Sequence, residues 1–84
     1  MKREDLQAFS GFLVSVINVE TPTMAELHSQ DPQRAYLTLP HSTTWTAEHP
    51  YYLTDEDVAA MSVAGPHTLN SQIVLRASPG ASKP

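Results

Sequence analysis

The chain has 84 residues, 40% of them hydrophobic, and its nine acidic and five basic side chains give a formal net charge of −4. A chain of this length forms at most one small domain with a thin core, and its negative charge argues against binding to nucleic-acid phosphates. Cysteine is absent, which excludes disulfides and thiolate metal sites.

The first segment of the chain predicts an amphipathic helix over residues 3–19. Apolar residues recur there at steps of three and four, the helical period, at Leu6, Phe9, Leu13, Val16 and Ile17. Gly11 and the branched residues after it favour an alternative, because glycine costs about 1 kcal/mol inside a helix and branched residues prefer strands. In that alternative a short helix ends at Phe9 and a strand runs from Phe12 to Glu20.

Two pairs of residues that end in proline predict helix starts in the next part of the chain. Thr21-Pro22 combines an N-cap residue with a proline at the first helical position, and we expect a helix that continues to Ser29. Asp31-Pro32 repeats the arrangement and predicts a short turn towards Leu39. Residues 36–39 fit a brief strand as well as a helical turn, and the pattern leaves both open.

Residues 41–52 show no clear period and predict a long ordered loop. This stretch holds three large aromatic side chains, Trp45, Tyr51 and Tyr52, and such surfaces seldom stay in water without a partner. The rings either fill the core beneath the loop or form an interface, where tyrosine and tryptophan are enriched. The two interpretations are compatible, because one ring can face inward and another outward.

The segment from Thr54 to Asp57 is the strongest local signal in the chain. Thr54 is an N-cap residue, and Asp57 follows three positions later, where a capping box carries its acidic partner. We expect a helix from Asp55 to Ala64 that is closed by Gly65-Pro66. Residues 68–77 fit a helix and a strand about equally.

These elements together predict a mainly α fold: a small single-domain helical fold with a long ordered loop. The alternative is an α+β fold in which a short two-stranded sheet pairs Phe12–Glu20 with Gln72–Arg76. We assign residues 1–77 to the domain and residues 78–84 to a polar C-terminal tail. No apolar stretch approaches the roughly 20 residues of a membrane span, and no secretory signal is apparent, so we expect a cytoplasmic protein.

The sequence carries no recognisable catalytic or metal-binding arrangement. Its histidines match no recurrent zinc spacing; they are His28, His41, His49 and His67. The adjacent carboxylates of residues 55–57 point in different directions on a helix and cannot converge on one cation. No nucleophile turn or glycine-rich phosphate loop is present. We therefore expect no enzyme activity, no catalytic residue, no metal and no cofactor.

Size, charge and the aromatic segment favour a non-catalytic protein–protein interaction module. It would be an accessory subunit, or a modulator or inhibitor of a larger protein complex, for example of the phage type. The alternative is a self-assembling structural or virion component, so a homodimer is possible. We expect no nucleic-acid or membrane partner, and we predict a partner-binding surface at Trp45, Tyr51, Tyr52, Leu37 and Leu39. Alanine at Trp45 or Tyr52 would weaken binding by about 2 kcal/mol or more and leave the fold intact.

Overall fold

The computed structural model describes residues 1–17, 22–39 and 44–75. Within these ranges the strands are β1 (Leu13–Ile17), β2 (Thr23–His28), β3 (Tyr36–Thr38), β4 (Tyr51–Tyr52), β5 (Ser62–Gly65) and β6 (Thr68–Val74). The helices are the α-helix α1 (Asp55–Ala59) and two 3-10 helices, the N-terminal helix (Arg3–Phe9) and a short turn (Pro32–Arg34). The strands form one sheet in the order β4-β3-β2-β1-β6-β5.

The prediction of a mainly α, helical fold is wrong. Six strands outweigh a single five-residue α-helix in the described part of the chain. The α+β alternative named a sheet of only two strands and also falls short. Its pairing of residues 12–20 with residues 72–76 lies where β1 runs parallel to β6.

The first segment divides into a short helix and a strand. The N-terminal helix ends at Phe9, Gly11 adopts a φ of 92°, and β1 begins at Leu13. The continuous helix over residues 3–19 is therefore wrong, and the helix–strand alternative is confirmed as far as Ile17; residues 18–20 lie outside the described ranges. The positive φ of Gly11 ends the helix, and the branched residues that follow fit an extended backbone.

The helix expected after Thr21-Pro22 is also wrong, because Thr23–His28 forms β2. Ala25 and Leu27 are buried while their neighbours are half-buried or exposed, which is the period of a strand with one face on the core. The Leu27 N–H donates to the Phe12 carbonyl at 2.9 Å, and the Leu27 carbonyl accepts from Gly11 N–H at 2.8 Å. Pairing with the neighbouring strand thus outweighs a local cap signal.

The other cap signals are confirmed. The Asp31 side chain accepts a hydrogen bond from Gln33 N–H at 3.1 Å, and a 3-10 turn follows from Pro32. Thr54 and Asp57 form both bonds of the capping box, at 3.1 and 3.0 Å. Such signals involve residues only two or three positions apart, so their hydrogen bonds do not depend on contacts between distant segments.

The predicted end of α1 at Ala64 is wrong, because the helix ends at Ala59 and residues 62–65 form β5. Gly65 is part of that strand, and the turn to β6 passes through His67, whose φ is 63°. β5 pairs antiparallel with β6, which confirms the strand interpretation of residues 68–77 as far as Val74. Residues 76–84, which include the proposed tail, lie outside the described ranges.

The hydrophobic core lies on one face of the sheet. β1 to β4 form an antiparallel meander, and the β5–β6 hairpin joins it through the parallel β1–β6 pair. The buried hydrophobic residues are Leu6, Val14, Val16, Ala25, Leu27, Ala35, Leu37, Leu39, Trp45, Leu53, Val58, Met61, Leu69 and Ile73. The N-terminal helix, α1 and the loop around Trp45 contribute to this core and cover that face. None of the described helices is long and apolar enough to cross a membrane.

Candidate functional site

The second face of the sheet is the candidate interaction surface, and we call it the open face. It is formed by the side chains that alternate with the core residues along β1 to β4 and β6. Strand register places there Leu13, Ser15, Ile17, Met24, Glu26, His28, Tyr36, Thr38, Tyr52, Thr68, Asn70, Gln72 and Val74. None of these residues is buried. The open face is therefore a broad surface that the described chain leaves in contact with solvent.

Exposed apolar side chains are concentrated on this face. Among the described residues, six large hydrophobic side chains are exposed, and five of them belong to the open face, each with 43–59% of its surface accessible. These five are Leu13, Ile17, Met24, Tyr52 and Val74. Ile17 and Val74 are register partners on the adjacent strands β1 and β6, so their side chains form one apolar patch. Contiguous exposed apolar surface on a small protein typically marks an interaction site.

A single carboxylate lies near the centre of the open face. Glu26 on β2 is half-buried, and its register partners are Leu13 on β1 and Thr38 on β3. Its side chain makes no hydrogen bond or ion pair with any residue that the structure describes. A half-buried charge without a partner is costly to cover further, so any surface that docks here must supply a cation or a hydrogen-bond donor.

Stacked aromatic rings line the β4 end of the open face. The His28 and Tyr36 rings stack with centroids 4.7 Å apart and planes 12° from parallel, and Tyr36 contacts the Tyr52 ring at 5.6 Å. His28 Nε2 and Thr38 Oγ1 are hydrogen-bonded at 2.8 Å, which orients the imidazole. These contacts hold the rings in place, so their exposed surface costs little further side-chain entropy to bury against a partner.

The residues predicted to bind a partner do not lie on one surface. Tyr52 belongs to the open face, whereas Trp45, Leu37 and Leu39 are buried in the core at 1%, 0% and 6% exposure. Tyr51 is half-buried on the core side, where its ring stacks on Trp45 at 4.6 Å. Neighbours in a strand face opposite ways, which separates Tyr51 from Tyr52. Partner binding stays a prediction, and of the five residues named for it Tyr52 is the one that lies on the open face.

The sequence-based reasoning missed the other exposed residues of this face. Glu26, Met24 and Leu13 were passed over because residues 3–19 and 22–29 were both interpreted as helices. The usable signal was the alternation within β2, where Ala25 and Leu27 are separated by Glu26. Once that period is recognised, the residues between the core positions define the open face.

Tyr51 connects the loop around Trp45 to α1, because its ring stacks on Trp45 and its hydroxyl binds Asp57. We therefore expect the loss of that hydroxyl to lower the stability of the fold. The Tyr51 hydroxyl donates to Asp57 Oδ2 at 2.6 Å, and the same oxygen accepts from Thr54 N–H at 3.0 Å. We expect Tyr51→Phe to lower the free energy of unfolding by about 1–2 kcal/mol, because a hydrogen bond to a charged group is lost. Urea denaturation measures the change. Tyr52→Phe is the matched control, with an expected effect below about 0.5 kcal/mol; equal effects of the two substitutions would contradict the assignment.

Metal binding finds no support in the described residues. No group of three histidine, aspartate or glutamate side chains there lies close enough to hold an ion. His28 belongs to the aromatic stack, His49 and His67 are exposed, and His41 lies outside the described ranges.

Comparison with protein-family models, with curated proteins and with solved structures finds no match to this chain.

Proposed function

We propose that this chain is a non-catalytic protein–protein interaction module, an accessory subunit or modulator that docks on a larger protein through its open face. The observation that carries the proposal is the concentration of exposed apolar side chains on the face of the sheet that the described residues leave uncovered, where Leu13 and Met24 neighbour Glu26. Burying apolar surface is worth about 25 cal/mol per Å², so five such side chains can supply several kcal/mol of binding energy. The cytoplasmic location expected from the sequence, which shows no membrane span and no secretory signal, is part of the proposal.

The chemistry of the open face specifies the partner surface. Leu13 and Met24 would contact apolar side chains of the partner, and Glu26 would pair with a lysine or arginine that lies among those side chains. A charge pair of this kind fixes orientation and penalises wrong partners. Nucleic acids and anionic membranes fit poorly, because the chain has a net charge of −4 and Glu26 would meet phosphate groups.

Self-assembly through the same face is less favourable than docking on a different protein. In a two-fold dimer stacked face to face, the same patch meets itself. Glu26 lies on β2, one of the two central strands of the sheet. The Glu26 carboxylates of the two copies would therefore approach each other without a described cation between them. Like charges that meet in a buried interface cost several kcal/mol.

The proposal predicts that substitutions on the open face abolish partner binding. In affinity capture from the source cells, the double variant Met24→Lys/Tyr52→Ala is expected to lose its protein partner. Binding measured with the purified partner is expected to weaken tenfold or more, about 1.4 kcal/mol or more. Glu26→Lys is expected to have a similar effect, and Glu26→Gln a smaller one. The double variant loses apolar contacts with the partner, and Glu26→Lys reverses the charge that the partner's cation would contact.

The control is Ala59→Lys, which adds the same charge on the exposed surface of α1. Circular dichroism confirms that each variant is folded. Capture of the same proteins at the same level by wild type, control and open-face variants would reject the open face as the docking surface. A wild-type protein that sediments as a dimer, with a monomeric Met24→Lys/Tyr52→Ala variant, would replace the proposal with self-assembly.

A further inference from the structure

A separate groove lies on the core side of the sheet, where the edge strand β5 meets the N-terminal helix. Its volume is about 600 Å³. Met1, Phe9 and Val63 contribute apolar surface to its lining, the buried Met61 lies beneath them, and Glu4 and Asp5 lie beside them on the N-terminal helix. The open face takes no part in this groove, so the two surfaces can be tested independently.

The exposure of Val63 shows that the helices and the loop that cover the core face do not reach the edge strand β5. It pairs in register with Leu69, and register partners direct their side chains to the same face. Leu69 is fully buried in the core, whereas Val63 remains 57% exposed. Val63 is also the one exposed large hydrophobic residue in the described ranges that does not belong to the open face. The described residues therefore leave the core side of β5 uncovered beside an apolar groove.

The backbone of β5 has an unpaired outer edge in the described part of the structure. β5 is the last strand in the sheet order, with β6 on its inner side. Its pairing with β6 is regular at Ser62 and Val63, and the register shifts only between Val63 and Gly65. The outward N–H and C=O groups of an edge strand are a template for another extended segment. A segment paired there would lie directly over the groove.

The charges that line the groove are the carboxylates of Glu4 and Asp5 and the N-terminal ammonium of Met1, which donates to the Met61 carbonyl at 3.4 Å, and together they leave a net negative charge. Glu4 and Asp5 are exposed, and neither side chain forms a hydrogen bond or ion pair with a described residue. Both lie on the groove side of the N-terminal helix, where they contribute to the lining. An extended segment with lysine or arginine is therefore attracted to this edge, and an acidic segment is repelled.

We propose that β5 and this groove bind an extended basic–apolar peptide segment of a partner protein, which adds to the sheet as a further strand. Main-chain hydrogen bonds to β5 supply affinity, as in other cases of strand addition. Side chains on one face of the added strand enter the groove: an apolar one contacts Val63 and Phe9, and a basic one, two positions away, reaches Glu4 or Asp5.

Synthetic peptides test the proposal on the full chain. The probe is an eight-residue peptide with an acetylated N-terminus and an amidated C-terminus, in which the order serine, valine, serine, lysine occurs twice. The control peptide carries glutamate in place of lysine. We expect the lysine peptide to bind in calorimetry and to shift the backbone NMR signals of Ser62 and Val63. The glutamate peptide is expected to bind at least about tenfold more weakly at low salt.

Backbone methylation separates strand addition from simple charge attraction. Two versions of the lysine peptide are N-methylated at alternate residues, one at the serines and the other at the valines and lysines. A strand turns only one set of N–H groups towards its neighbour, so one version is expected to lose binding and the other to keep it. Equal binding of both versions would overturn the proposal, as would equal binding of the glutamate peptide or no binding of the lysine peptide.

Matched variants of the chain locate the site. Glu4→Lys/Asp5→Lys is expected to weaken binding of the lysine peptide about tenfold or more, whereas Glu48→Lys/Glu56→Lys, with the same change in net charge, is expected to change it less than about threefold. Equal losses in the two variants would overturn the groove assignment. The open-face variant Met24→Lys/Tyr52→Ala is expected to bind the peptide normally, so the outcome here is independent of the proposed docking face.

Discussion

Replacing Trp45 by alanine is expected to destabilise the fold by about 3–5 kcal/mol, the cost of removing a large aromatic side chain from a core. Trp45 is 1% exposed and stacks on the Tyr51 ring with an interplanar angle of 22°. A domain of this size has a stability near the low end of 5–15 kcal/mol, so the substitution removes most of it. The expectation from the sequence that the fold survives this change is replaced by the opposite one.

Urea denaturation followed by far-ultraviolet circular dichroism measures the effect of Trp45→Ala without relying on the lost fluorophore. Tyr52→Ala is the control, because that ring is 59% exposed and its loss is expected to cost less than about 1 kcal/mol. Trp45→Phe, which refills part of the volume, is expected to fall between the two. A Trp45→Ala protein with the unfolding midpoint of the wild type would show that the indole is not a core element.

Arg3→Ala is expected to lower the free energy of unfolding by about 3 kcal/mol. The Arg3 guanidinium donates to the carbonyls of Pro32 and Leu53 at 3.0 and 2.6 Å, and its Nε donates to Asp55 Oδ1 at 2.8 Å. One side chain thus ties the N-terminal helix to the Pro32 turn and to the segment before α1. Each carbonyl bond from a charged donor is worth about 1.5 kcal/mol, and its loss leaves a partly buried acceptor unpaired.

Two further substitutions separate the contacts that Arg3 makes. Asp55→Asn is expected to cost less than about 1 kcal/mol, because the Asp55 side chain is 91% exposed and water screens the ion pair. Arg3→Lys keeps the charge but loses the planar fork, and we expect it to cost about 1–2 kcal/mol. Thermal and urea unfolding of the three proteins give the ranking. A loss in Asp55→Asn as large as that in Arg3→Ala would assign the stability to the ion pair instead of the carbonyls.

The sequence predicted those parts of the fold that depend on neighbouring residues. The Thr54–Asp57 capping box and the Asp31 cap are complete within a few positions, and both are present in the structure. A strand at Tyr36–Thr38 was one of two open interpretations, and its pairing with β2 and β4 decides it. Local chemistry was therefore a sound guide at these two caps, whereas the Thr21-Pro22 signal failed because residues 23–28 pair as β2.

The fold class could not be predicted in this way, because strand pairing between distant residues decides it. Leu13 and Ile17 are four positions apart and fit a helical stripe, yet both are exposed here, and Val14 and Val16 between them are buried. None of the residues of Ser62–Gly65 is buried, so this segment lacks the alternation of buried and exposed side chains that is typical of a strand. Its pairing with β6 makes it a strand. Tertiary context overrides propensity in both places.

The candidate site was predictable only in part for the same reason. Tyr52 stood out by its aromatic ring, which is visible in any sequence. Glu26 and Met24 acquire their significance from strand register, which places them on a common face with Leu13. The groove beside β5 is harder still to predict from the sequence. It exists because the N-terminal helix does not extend over Val63, and only the folded structure shows this.

The parallel β1–β6 pair has a consequence for how the chain is made. β1 is synthesised early, but its partner β6 ends only at Val74, so the ribosome releases the whole meander before the middle of the sheet can close. Contacts between such distant segments form slowly, and until then β1 presents an open backbone edge with Val14 and Val16 beside it. Nascent chains with unpaired strands aggregate readily. The interval between translation of β1 and of β6 is thus the stage at which this edge of the meander is exposed.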